Sequence, residues 1–194
     1  MNATTMVGPT GSASAATSCG QSGKSTIAPV LRDLAELAAL IDRLDDASYQ
    51  MKPVGLFSSS VGEHLRHCLD HIDALLRAID SDRLCYDNRR RGTNVETCRP
   101  AALSTIDDLR ARARSLSNFD LNRPLMLTAL LSKTGPTLDV ETSLGRELLF
   151  VVSHTTHHNA IIGAMAKTLG ASIPDDFGVA ASTSAFREET RCAP

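Results

Sequence analysis

All six histidines of this 194-residue chain fall in two short windows, His64, His67 and His71 in one, His154, His157 and His158 in the other. Neutral imidazole is a ligand for zinc, nickel, iron and copper, so two such clusters point first to a divalent metal. His154 and His158 stand four residues apart, one helical turn on the same face, the spacing at which two imidazoles hold one ion. That face runs on through Glu147, Val151, Ile161 and Met165 and therefore points inward. A third imidazole from the first window would leave one coordination position open, as catalytic zinc sites do. Spacing alone does not choose it. At about 100° per residue, His64 and His71 nearly eclipse each other on the shoulder of an apolar stripe, with His67 about 40 to 60° further round. The next turns carry only Ala74 and Ala78, which leaves room for a pocket.

These windows need helices to position them, and the apolar spacing predicts four. The first spans Thr26 to Ala47, with Leu34, Leu37, Ile41 and Leu44 at helical intervals. The second opens at Ser60, where Ser60-Val61-Gly62-Glu63 forms a capping box. It lines up Val61, Leu65, Cys68, Ile72, Leu75 and Ile79, and ends near Asp80. The third runs from Pro100, suited to a first turn, to Leu116. The fourth starts at Thr142 or Ser143 and is stopped by Gly170 as its C′ residue. Two connections, Ser81 to Arg99 and Ser117 to Glu141, are long enough for a crossover, so the fold expected is an all-α four-helix bundle. Leu125, Leu127, Leu138 and Val140 alternate weakly, which leaves a short hairpin conceivable in the second connection.

The bundle is expected over residues 26–183, with Ile173 to Thr183 folding back over it and 184–194 as a loose tail. Residues 1–25, mostly Ser, Thr, Ala and Gly, read as a disordered leader without the basic start or apolar centre of a secretory signal. Gly20 to Ser25, G-Q-S-G-K-S, imitates a phosphate loop, but Ser18 stands where that pattern needs Gly. Apolar residues make up 42% and charged ones 22%, which excludes a wholly disordered chain. A net charge of −2, with 4% aromatics and no Trp, argues against nucleic acid as a partner. No apolar run is long enough to span a membrane. Five scattered cysteines without a C-x-x-C pair make neither a disulfide framework nor a zinc ribbon, and point to a reducing cytoplasm.

The run SVGEHLRHCLDH, with RELLFVVSHTTHH some 80 residues later, resembles the DinB/YfiT-like superfamily of metal-binding four-helix bundles. The resemblance covers about Thr26 to Thr183, and the loop from Tyr86 to Glu96 is similar to an uncharacterised bacterial branch. Carried over position by position, it implies His67, His154 and His158 as the metal ligands. It also implies up-down-down-up helix order, a homodimer, and either hydrolysis or transfer of a low-molecular-weight thiol. A related iron-dependent branch has H-x-x-x-H-x-E, but Ala160 stands at the Glu position, so that activity is not expected.

The remaining candidates follow from position. Glu147, two turns before His154, and Asp70, one turn after His67, are carboxylates suited to orient an imidazole or act as a base; both types are also common as helix-surface charges. His64, His71 and His157 read as supporting or surface residues. Arg89 and Arg91, with Arg90 between them, would hold an anionic substrate or thiol cofactor by bidentate contacts. The competing reading is a solvated charge run paired with Asp82, Asp87 and Glu96. Cys68 points into the apolar stripe and reads as core.

The function expected is a metal-dependent hydrolase or thiol S-transferase acting on a small molecule, with one zinc or nickel ion lowering the pKa of a bound water or thiol. The alternative is a non-catalytic or stress-associated dimeric metal binder with its site closed by a further histidine. A plain scaffold bundle is the third reading.

Overall fold

A computed structural model describes residues 26–55, 57–115 and 119–191, so the expected leader lies outside the described residues. Helix α1 covers Ala28–Asp42, opening with a proline in its first turn and burying Val30, Leu34, Leu37, Leu40 and Ile41. The expected run to Ala47 is broken. The chain leaves the helix at Arg43 and restarts as the one-turn α2, Asp46–Gln50, because the Asp45 side chain accepts from the Ser48 N–H at 2.7 Å.

Helix α3, Val61–Ser81, begins at the predicted capping box: Ser60 Oγ accepts from Glu63 N at 3.2 Å, and Glu63 Oε2 accepts from Ser60 N at 2.6 Å. It ends at Asp82, whose left-handed backbone (φ 56°) turns the chain into strand β1, Arg83–Leu84. A 3-10 turn at Asn94–Glu96 precedes α4, Arg99–Ser115. This turn lies on α3 at Gly62, where a Cβ would stand 2.1 Å from the Glu96 carbonyl oxygen. Tyr49, fully buried, fixes the same turn by donating its hydroxyl to Val95 O at 2.6 Å.

The all-α expectation needs correction. The second long connection folds into strands β2, Pro124–Leu130, and β3, Thr137–Ser143, paired antiparallel from Pro124–Ser143 to Leu130–Thr137. Strand β1 adds in parallel, with Arg83 opposite Met126. The weak alternation was therefore a real strand signal, with Leu125 buried at its base.

Helix α5, Leu144–Thr168, is capped by Ser143 and closed by Gly170 at φ 86°. Helix α3 packs on α4 and α5, and α1 packs on the same two. The shared core is aliphatic, with Leu34, Leu65, Ile72, Ile106 and Ile162 fully covered. Beyond α5, Ile173 joins the core and Phe177 rests against Gly163. The tail expected to be loose contains a further helix, α6, Ala181–Arg191, none of whose side chains is buried. No helix among the described residues is long and apolar enough to cross a membrane.

Candidate metal centre

Helices α3 and α5 pack side by side, and this brings the two histidine windows into contact. One ligand nitrogen from each of His67, His71 and His154 lies within 4.8 Å of the other two. His154 Nε2 and His67 Nε2 are 2.9 Å apart. The His71 ring stacks on His154 at 4.3 Å and meets His67 edge-on at 4.4 Å. His158 stands one ring away, 4.5 Å from both His67 and His154, while its Nδ1 faces His64 Nδ1 at 3.2 Å. His157 is exposed beside it.

Of the residues read from the sequence, His67 and His154 are therefore joined most tightly by His71, a residue assigned there only a supporting place. Its position on the stripe gave the signal, since His71 lies one turn from His67 on the same helix. Its Nδ1 N–H donates to the His67 carbonyl at 2.9 Å, which fixes the tautomer and leaves Nε2 bare.

Burial depresses the imidazoles of His64, His67, His71, His154 and His158. Desolvation, then the charges of His71, His158, Arg89 and His154, holds His67 down to about 2. Desolvation first, then neighbouring imidazoles, brings His154 and His158 to about 4, and desolvation lowers His71 and His64. At neutral pH the cluster is a set of uncharged nitrogen lone pairs turned on one another. That donor chemistry fits a first-row divalent ion such as zinc or nickel.

A second layer supports His71. Tyr86 stacks on its ring at 4.9 Å and donates its hydroxyl to Glu147 Oε2 at 3.0 Å. Thr142 Oγ1 donates to Glu147 Oε1 at 2.8 Å, so this carboxylate, only 2% exposed, has a partner on each oxygen. Glu147 thus acts on the cluster through Tyr86 rather than by direct contact with an imidazole. Periodicity carried no mark for Tyr86, which lies in an irregular loop that only the family resemblance singled out. Burial, then the charge of Glu147, pushes its phenol up and keeps it a donor.

Asp70 is drawn elsewhere: it pairs with Arg66 at 2.9 Å, and Arg66 also grips Glu96 at 2.9 Å. Asp70, Ala74, Arg89 and Arg90 line a cavity of about 570 Å³. Ala78, expected to border such a space, is instead fully buried core. Arg89 stands between this cavity and the cluster, its Nη1 against His67 Nδ1 and its buried Nε without a partner. Arg91 is exposed and does not line the cavity. The charge-run pairing does not form. Asp82 binds Arg123, Asp87 accepts from Leu130 N, and Glu96 holds Arg66 and Gly92 N. A smaller cavity of about 290 Å³ opens beside His71, between Tyr86, Leu127, Glu147 and Phe150.

Residues 31–162 match the family model of the DinB superfamily, about two thirds of the chain. A protein of Rhizopus delemar (strain RA 99-880) described as FK506-binding protein 5 is 36% identical over 101 residues. The match spans 52% of this chain and 26% of that relative, about a quarter of its length.

Proposed function

Because the chain belongs to the DinB superfamily, we propose that it is a metal-dependent enzyme, a hydrolase or a low-molecular-weight-thiol S-transferase, built on imidazoles from α3 and α5. The observation that carries this reading is the convergence of His67, His71 and His154. His67 and His154 are common to every ligand set considered. His158 completes the set implied by the H-x-x-x-H motif, and His71 completes the set the geometry draws tightest. A bound zinc or nickel ion would supply Lewis acidity, bringing a water or thiol towards its anion at neutral pH.

The chain's own residues do the rest. Glu147 and Tyr86 hold the His71 ring in place. Arg89 and Arg90 line the larger cavity and suit an anionic small molecule, whereas Arg91 stays outside its lining. Asp70 keeps Arg66 fixed in the cavity wall. A second reading has its own support, since His71 and His158 are both within ring contact of His67. Four imidazoles would satisfy a tetrahedral ion and close the site, giving a non-catalytic metal-binding protein.

The wider reading is an up-down-down-up bundle with a crossover, supported by the pairing of α1 and α3 with the same two helices. It includes a homodimer, for which exposed Leu130, Leu138 and Val140 on the hairpin offer apolar surface. A reducing cytoplasm agrees with the free thiols of Cys68, Cys85 and Cys98.

Elemental analysis of tag-free protein tests the proposal, with His154→Ala, His71→Ala and His158→Ala in parallel. About one divalent ion per chain, lost in His154→Ala, is expected, followed by turnover in thiol-conjugation or hydrolysis assays. Equal metal content in wild type and His154→Ala would overturn it. Stoichiometric metal with no exchangeable position, and retention weakened by both other variants, would select the closed site.

A further inference from the structure

A second polar site lies between α1, α5 and α6, in a cavity of about 300 Å³ that shares no lining residue with the histidine centre. Its outer wall is the chain after α5. Gly178, at φ 72°, crosses α5 so closely that a Cβ there would lie 2.3 Å from Ala160 N. This crossing places Asp176 and Val179 over the helix. Four carboxylates line the space, Asp33, Glu36, Asp176 and Glu188, against the single guanidinium of Arg32. Arg32 reaches Asp33 at 3.7 Å and Glu36 at 3.8 Å, so the acidic groups lining the space outnumber its one cation.

Two residues make this more than an acidic surface. Asp33 is 3% exposed, and its removal from water raises its pKa to about 7 despite Arg32. Asn159, 1% exposed, is part of the cavity lining, and its buried Oδ1 has no hydrogen-bond partner. A buried carbonyl-type oxygen calls for an N–H donor, and a buried carboxylate calls for a cation. A bare metal ion does not suit the arrangement: among the described residues, the group that converges tightly enough to hold one is the histidine trio. Val179, Ala181 and Ala185 complete the lining with apolar surface suited to methylene groups.

We propose that this cavity binds a small alkylammonium ion, its ammonium group paired with Asp33 and donating to Asn159 Oδ1, its carbon chain along Val179 and Ala185. Glu36, Asp176 and Glu188 provide the attractive field at the entrance.

Calorimetric titration of the full chain with 1,4-diaminobutane tests this. One site per chain is expected, with no heat from butane-1,4-diol, which has the same length and no charge. Asp33→Asn should weaken binding about tenfold or more. Should that variant fail to fold, the exposed pair Asp176→Asn and Glu188→Gln should still weaken it several-fold without touching the core. His154→Ala should bind like wild type, which separates this cavity from amine coordination at the histidines. No heat into the millimolar range, unchanged binding in the carboxylate variants, displacement by equimolar magnesium, or loss in His154→Ala would each overturn the proposal.

Discussion

The imidazoles of this centre are kept neutral by their surroundings, and this makes acid the simplest probe of them. His154 and His158 titrate near 4 in the folded chain and near 6.5 when unfolded, so the unfolded state binds more protons between those values. Stability from this source is full above about pH 6.5 and is lost as pH falls towards 4. Thermal unfolding should therefore move to lower temperature between pH 6.5 and 4.5, and the slope should flatten in His158→Ala. Ligation needs the unprotonated ring, so metal should be retained at pH 5, where free imidazole is mostly charged. Tyr86 is the other residue to test. Tyr86→Phe would leave buried Glu147 Oε2 without its donor and should cost about 1–3 kcal/mol in denaturant unfolding. It should also weaken zinc binding by about tenfold or more if His71 is a ligand.

At the scale of elements, the start of α3 decides how the first histidine window is aimed. Ser60→Ala removes the acceptor for Glu63 N and should cost about 1 kcal/mol. Gly62→Ala should cost more, because its Cβ would meet the backbone of Glu96 and not a flexible side chain. Both are read by urea unfolding monitored at 222 nm. The long helices were legible because each buries one stripe: Leu65, Ile72 and Ile79 on α3, and Leu34, Leu37 and Ile41 on α1. The histidine pairing across α3 and α5 was legible for a related reason, as His154 and His158 share the α5 face that carries Val151 and Met165, and the first window flanks the apolar stripe of α3. What stayed hidden depends on contacts distant in sequence. The hairpin is half-exposed and keeps only a faint alternation. Tyr86 and Arg89 owe their positions to loop anchors, and the preference for His71 over His158 arises from how the two helices are set against each other.

For the molecule as a whole, the histidine centre joins α3 to α5, so a ligated ion should act as a cross-brace between them. Saturating zinc should raise the melting temperature of wild type, by about 3–4 kcal/mol of linkage at a few hundred times the dissociation constant. A chelator should reverse this, and His154→Ala should show neither effect. Differential scanning calorimetry with and without chelator checks all three.

The segment bearing Arg89 has fixed ends. Asp87 is tied to β2 through Leu130 N, and the Asn94–Glu96 turn is seated against Gly62 and Tyr49. Residues 88–93 between these anchors reach the rest of the protein mainly through the wall of the larger cavity, where Asn88, Arg89, Arg90 and Thr93 all face. The stretch is therefore an exchangeable cassette. Shuffling its other positions between fixed ends, with Arg89 kept against His67, would vary what the cavity accepts while the histidines, the capping box and the bundle stay as they are.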